Sequence, residues 1–273
     1  MIPDIHHVGQ ANIFFYFAKR AKFDEFMFDT LGSGIKLIME GSSVKFYSDR
    51  GYVLCDVYAV ASVAVEPATL LWRWQPLPGE EEYFRGDVAI GYKAFGEKHG
   101  LSGFSSLEVP YQFQGDQLEA LGQVVDDVES AGFQIFGPQA LFYHYPINEA
   151  GSQVIWALTN LRNEHGPVQF PMPTLTELLV SAPRVLSTSV DDPRFSLERL
   201  AAFYEGVTTT VEEFPTRNLL CVTYVENHER YHVIEVHKDE HGRVTSIGSH
   251  LNCTKEIAEN AVREAVAGVD EQK

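Results

Sequence analysis

Residues 52–74, YVLCDVYAVASVAVEPATLLWRW, decide how the chain is read. They form the longest apolar, β-branched and aromatic run, ending in Trp72-Arg73-Trp74, two of the three tryptophans. Such side chains suit a pleated, half-buried surface, so the run reads as strand. Proline cannot donate to a sheet ladder, so Glu66-Pro67 should divide it into two core strands.

Upstream, residues 35–39 and 43–47 read as two more strands. Ser48-Asp49-Arg50-Gly51 supplies a hairpin turn with glycine where positive φ is needed. A four-stranded antiparallel sheet is the simplest result. Before it, residues 11–31 read as a helix with phenylalanines nearly all round its axis, hence largely buried, and stopped by Gly32-Ser33-Gly34. After it, residues 75–82 read as a loop. Asp87 is placed to cap a helix that ends at Gly100. Asp116 is placed to cap another, with Leu118, Leu121, Val124, Val125 and Val128 at helical spacing and Gly132 as its stop. Residues 133–136, 140–145 and 153–160 read as strands, the last two as a hairpin.

Residues 165–173 hold three prolines and a glycine and mark a linker. Beyond it, Thr174 with Glu177 is a capping box opening a helix over 174–182. Asp192-Pro193 opens a second helix, ended by Gly206. Strands are expected at 207–214, 219–226, 231–237 and 244–249, followed by a helix capped by Thr254. Residues 269–273 are polar enough to be disordered. The expected fold class is α+β with two domains, 1–165 and 174–273, each an antiparallel β-meander covered by helices.

The net charge of −17 and pI near 4.9 argue against nucleic acid and anionic membrane as partners, because both require basic patches. Between Lys98 and Arg162 there is no Lys or Arg, while the span carries Glu108, Asp116, Glu119, Asp126, Asp127, Glu129 and Glu149. A solvated acidic face explains this; so does a docking surface for a basic protein, centred on Asp126 and Asp127. Three well-separated cysteines read as buried, reduced thiols. The start of the chain lacks the basic and apolar stretches of a signal peptide, and no apolar run approaches the roughly 20 residues of a membrane span. The expected location is cytoplasmic.

One motif offers a sharp chemical reading. His228-Glu229-Arg230-Tyr231-His232 matches His-Glu-x-x-His, in which two histidines one helical turn apart bind zinc and the glutamate is the general base. With Glu256 as a third ligand, this resembles the gluzincin peptidases and implies a zinc-dependent metallohydrolase. The flanks, 219–225 and 233–236, are strand-like, which puts the motif in a hairpin instead. Residues four apart on a strand are separated by about 13 Å and cannot share one zinc. With a hairpin loop at 239–242, Tyr231 should pair with His250, leaving His232 and His250 on opposite faces.

Trp72 and Trp74 should share one face of their strand and Arg73 the other, as core or as the wall of a binding site. Trp72, Trp74, Gly96, Glu97, His99 and Gly100 together resemble an uncharacterised bacterial domain family of unknown function, over about residues 35–160. The resemblance implies a bacterial cytosolic protein and no known activity. Phosphate-binding, dinucleotide-binding, nucleophile-elbow and Cys-x-x-Cys motifs are absent from the sequence. The expectation is a non-enzymatic, acidic, protein-binding module without cofactor, fit for an immunity-type role against a basic toxin. The alternative is the zinc hydrolase.

Overall fold

The computed structural model describes residues 1–76, 85–112, 115–188 and 190–268. Most of the expected 75–82 loop and the polar tail at 269–273 lie outside them. The chain is α+β, with two antiparallel sheets of eight and four strands. It divides into two compact units, Met1–Gly9 with Lys19–Met172, and Gln10–Ala18 with Pro173–Lys273.

Up to Met172 the elements are α1 (Pro3–Gln10), α2 (Ile13–Leu31), β1 (Lys36–Glu40), β2 (Ser43–Ser48), β3 (Gly51–Ala64), β4 (Thr69–Trp72), α3 (Asp87–His99), α4 (Ser102–Ser105), β5 (Glu108–Pro110), α5 (Gln117–Phe136), β6 (Phe142–Pro146), β7 (Gln153–Asn163) and β8 (Gly166–Pro167), with Gln10 and the start of α2 counted in the second unit. The strand quoted first is the organising one. β7 covers one edge of β3, from Leu54 opposite Arg162 to Val63 opposite Gln153. β2 and β4 share the other edge end to end. Between them, the N–H groups of Val57 and Ala59 donate to the carbonyls of Ser42 and Arg85, both at 2.9 Å. The expected four strands are therefore part of a larger sheet, extended by β5 on β4, by β7 on β3, and by β6 and β8 on β7.

The β3–β7 pair has two register shifts: the first, between Leu54 and Asp56, adds a residue to β7, and the second, between Ala59 and Ala61, adds one to β3 and changes which face β3 presents. Before the second shift, Val53, Cys55 and Val57 join a core with Phe23, Met27 and Leu31 of α2 and Trp156 of β7. Past it, Ala61 pairs with Trp72, whose indole lies 4.9 Å from the Tyr92 ring and 6.0 Å from that of Phe104. The sheet thus carries a core on each face.

Three local expectations are corrected here. Asp87 does not cap α3; it is the first helical residue, and Gly86 is the N-cap without a side-chain bond. Gly132 does not stop α5, which runs on through the expected 133–136 strand to Gly137. A Cβ at Gly132 would collide with the Phe142 ring and the Tyr92 hydroxyl, so glycine serves close packing there. The unforeseen α1 lies against α5: Gly9 comes so close that a Cβ would be 2.9 Å from the Asp127 carbonyl, and Ser130 Oγ donates to the Gly9 carbonyl at 2.6 Å.

The second unit holds α6 (Leu175–Thr188), α7 (Pro193–Leu200), β9 (Val207–Phe214), β10 (Leu219–Glu226), β11 (Arg230–Lys238), β12 (Val244–Cys253) and α8 (Lys255–Gly268). Its sheet is a plain meander, order β12-β11-β10-β9. The capping box forms: Thr174 N–H donates to Glu177 Oε2 at 2.7 Å and Glu177 N–H to Thr174 Oγ1 at 3.3 Å. Asp192 caps α7 and Thr254 accepts from Ile257 N–H. α6 continues past the expected end, through Pro183, because Val185 and Leu186 extend the buried stripe of Leu178, Leu179 and Ala182. The two central strands, β10 and β11, are buried on both faces, with Val222, Tyr224 and Ile234 on one and Cys221 and Val233 on the other.

Candidate functional site

The His-Glu-x-x-His match lies in the β10–β11 hairpin. Asn227 and His228 take positive φ, 51° and 62°, and Glu229 N–H donates to the Glu226 carbonyl at 3.1 Å. His228 and Glu229 are exposed in the turn, while His232 is fully buried in β11. Glu256 is exposed in the first turn of α8. The helical turn that lets a zinc peptidase bring two histidines together is not made; the motif spans a hairpin turn and the start of a strand. Among the described residues, no three of His, Cys, Asp and Glu converge as a metal site requires.

His232 Nδ1 accepts the Asn252 N–H at 3.3 Å, so Nε2 carries the proton of the neutral ring. Its pKa is lowered, by burial first and by Arg230, against the pull of Glu226. His250 sits opposite Val233 rather than Tyr231, displaced by a register shift. It still faces away from His232, and its Nε2 lies 3.3 Å from the buried Glu235.

The tryptophans and acids proposed for binding fall in different surroundings. Trp72 is 1% exposed and its Nε1 donates to the Gly103 carbonyl at 2.8 Å, so it belongs to the core. Trp74 lies beyond the end of β4, half-buried, with Lys93 Nζ 4.9 Å from its ring centre. Arg73 is buried too, because the strand and its two-residue alternation end at Trp72. Asp127 is not part of an exposed acidic face. It is 1% exposed, 2.9 Å from His6 Nδ1, and accepts from Gln123 Nε2. Burial raises its pKa, against the lowering effect of His6. Asp126 lies 3.6 Å from Arg20, and the buried Glu129 lies 3.1 Å from His144. Asp127 stands three residues after Val124 and four before Ala131, so helical spacing already put it on the buried stripe.

A different place in the first unit has the shape of a site. A groove of about 530 Å³ lies between α2 and strands β1, β2 and β6, lined by Phe23, Asp24, Met27, Ile35, Lys36, Leu37, Phe46, Tyr47, Tyr143 and Tyr145. That volume is in the range of small-ligand and side-chain pockets. Its floor is a corner of rings. Phe46 meets Tyr143 edge-on at 5.1 Å and 87°, and Phe23 meets Tyr143 at 6.0 Å and 64°. Tyr143 and Tyr145 both stack against Trp156, at 6.5 and 6.3 Å. Asp24 supplies the carboxylate. Burial raises its pKa, while Arg20 and His144 pull it down. Arg20 is itself held by Asp126 and by His144 Nε2 at 3.1 Å. One wall is β1, whose other edge carries no strand among the described residues. Alternation along each strand indicates which of these rings face inward, but their meeting joins segments far apart in sequence.

The helix end that carried the family resemblance is structural. Gly100 closes α3 in the left-handed conformation, donating to the Gly96 carbonyl. A Cβ at Gly96 would collide with Phe104, and the His99 ring lies tilted against that of Phe95 at 4.5 Å. No helix among the described residues is long and apolar enough to cross a membrane. Comparison with curated proteins and with solved structures finds no match. Comparison with protein families matches residues 6–161, more than half of the chain, and this span contains every position that carried the resemblance. The chain belongs to the Family of unknown function (DUF6882).

Proposed function

We propose that the chain is a non-catalytic binding module. Its site is the groove of the first unit with the free edge of β1, and its partner is a basic, extended segment of another protein. The observation that carries this reading is β1. Among the described residues it pairs with β2 alone, lines the groove, and exposes Ile38 and Met39 at 46% and 44%, next to Ile35 at 37%. Free sheet edges are ordinarily covered or made polar, because their unpaired N–H and C=O groups template another strand. Here apolar side chains stand beside the edge, and exposed apolar patches mark protein interaction sites. A partner strand gains affinity from main-chain bonds and specificity from side-chain pockets.

The net charge of −17 supports a basic partner, as an immunity-type inhibitor of a basic toxin would need. The thiols support binding over catalysis: burial pushes Cys55 and Cys221 up to about 12, far from a reactive thiolate. The test is selection of a random peptide display library on the protein. The selected peptides are then measured on Ile38→Asp/Met39→Asp and on Ile257→Asp, a change at an exposed site on α8. At least about tenfold weaker binding to the β1 variant alone is expected. Equal binding to all three proteins, or no selected peptide, overturns the reading.

A further inference from the structure

We infer that the groove is a cation site, holding the guanidinium or ammonium head of an Arg or Lys side chain between aromatic faces and the Asp24 carboxylate. For the source of that side chain, the docked segment, this rests on the binding-module reading. Its chemistry stands on the groove alone.

Aromatic faces carry negative potential and attract cations, most strongly where water is excluded. The first unit uses this attraction repeatedly. Lys19 stands 5.6 Å from the Phe133 ring centre and 5.7 Å from that of Phe170. Lys45 stands 4.9 Å from Tyr52, Arg85 5.5 Å from Tyr58, and Lys93 4.9 Å from Trp74. In the groove, among the described residues, no Lys or Arg stands over Tyr47, Tyr143 or Tyr145. Lys36 is exposed and lines the groove, but its ammonium stands over none of these rings. Arg20 is engaged by Asp126 and His144. The rings are held by their edge-on contacts and by the stack on Trp156, so they are set before a ligand arrives. An aromatic corner with one carboxylate and no cation over its rings is complementary to an incoming cationic head. A neutral head of the same shape gains only the apolar part of that contact.

Trp156, beneath Tyr143 and Tyr145, is a built-in reporter, and with three tryptophans its indole N–H signal is assignable by substitution. The experiment titrates the ¹⁵N-tryptophan-labelled protein with N-acetyl-arginine methylamide and with its neutral isostere, N-acetyl-citrulline methylamide. The arginine probe should move the Trp156 signal with roughly millimolar affinity, as suits a single side chain. The citrulline probe should bind at least about tenfold more weakly. Asp24→Asn should abolish that preference, and Tyr145→Ala should weaken both probes; thermal melts confirm that each variant is folded. Equal affinity for the two probes, no binding of either, a preference that survives Asp24→Asn, or shifts only at Trp72 and Trp74 overturns the inference. Peptides selected at β1 by a protein indifferent to arginine over citrulline would sink this inference and leave the binding module. Arginine preference without peptide selection would do the reverse.

Discussion

The two sheets differ in what joins their strands. In the four-stranded sheet every neighbour in space is a neighbour in sequence, so turns alone set the pairing. In the eight-stranded sheet, β3 lies beside β7, with Leu54 opposite Arg162 and Asp56 opposite Thr159. Polar pairs tie the distant segments together. Arg162 donates to Asp56 through both Nη atoms at 3.0 Å, across 106 positions. His6 meets Asp127 across 121 positions. Closing such long loops costs chain entropy before any contact rewards it. A local meander needs its turns; a non-local sheet needs staples, and one of these two stands on a buried acid of α5.

The largest expected effect breaks a staple. Asp127→Lys removes the carboxylate that meets His6 and Gln123 and buries an ammonium in its place, which should cost about 5 kcal/mol, comparable to the whole stability of many domains. Glu149→Lys, at an exposed position of the same positively depleted span, should stay within about 0.5 kcal/mol. Urea unfolding of the two variants decides the matter; equal midpoints would show that α5's acids are surface groups after all.

Next in size is Trp72→Ala, expected to cost about 4 kcal/mol because the side chain is fully buried between Tyr92 and Phe104. Trp74→Ala removes a half-buried ring beneath one lysine and should cost less than half as much. A thermal-melt series in which Trp74→Ala is the worse variant would move the core to the far side of Arg73.

The same contrast governs what could be read in the sequence. β9 and β10 match the expected 207–214 and 219–226 because their ends are written in local turn residues. The caps at Thr174, Asp192 and Thr254 were legible for the same reason. Gly132 misled because its neighbours, Phe142 and Tyr92, come from other elements; without them a glycine after an apolar stripe reads as a stop. Asp127 misled through its type, although its spacing was that of a buried residue. The groove was not legible at all, since its walls are drawn from α2, β1, β2 and β6 and meet only when β3 has paired with both β2 and β7.

The second sheet has its own buried polar group, and its effect is a matter of pH. The folded pKa of His232 lies below the unfolded value near 6.5. Above that value both states hold a neutral ring and the group contributes no pH dependence. As pH falls below about 6.5, the unfolded chain binds a proton that the folded chain resists, so stability is lost toward the folded pKa. The loss from this one group is at most about 1.4 kcal/mol per pH unit. His232→Asn should flatten the difference between urea midpoints at pH 7.5 and pH 5.5; an undiminished slope would assign it to other histidines.

The smallest effect belongs to the turn of the same hairpin. His228 is exposed and holds φ at 62°, a conformation glycine adopts without the Cβ penalty. His228→Gly relieves that strain in the folded chain and adds freedom to the unfolded one, two terms of similar size and opposite sign. The net change should lie within about 0.5 kcal/mol. If His228 and His232 instead shared a zinc ion, binding to the folded state alone would raise stability by RT ln(1 + [Zn]/Kd), about 2.7 kcal/mol at a hundredfold excess over Kd. Melting wild type and His228→Gly with chelator and with added zinc therefore separates the two arrangements. Four coincident curves are what a hairpin turn requires. A zinc-dependent rise in wild type that the variant lacks would mean that the turn had refolded into a helix around the metal.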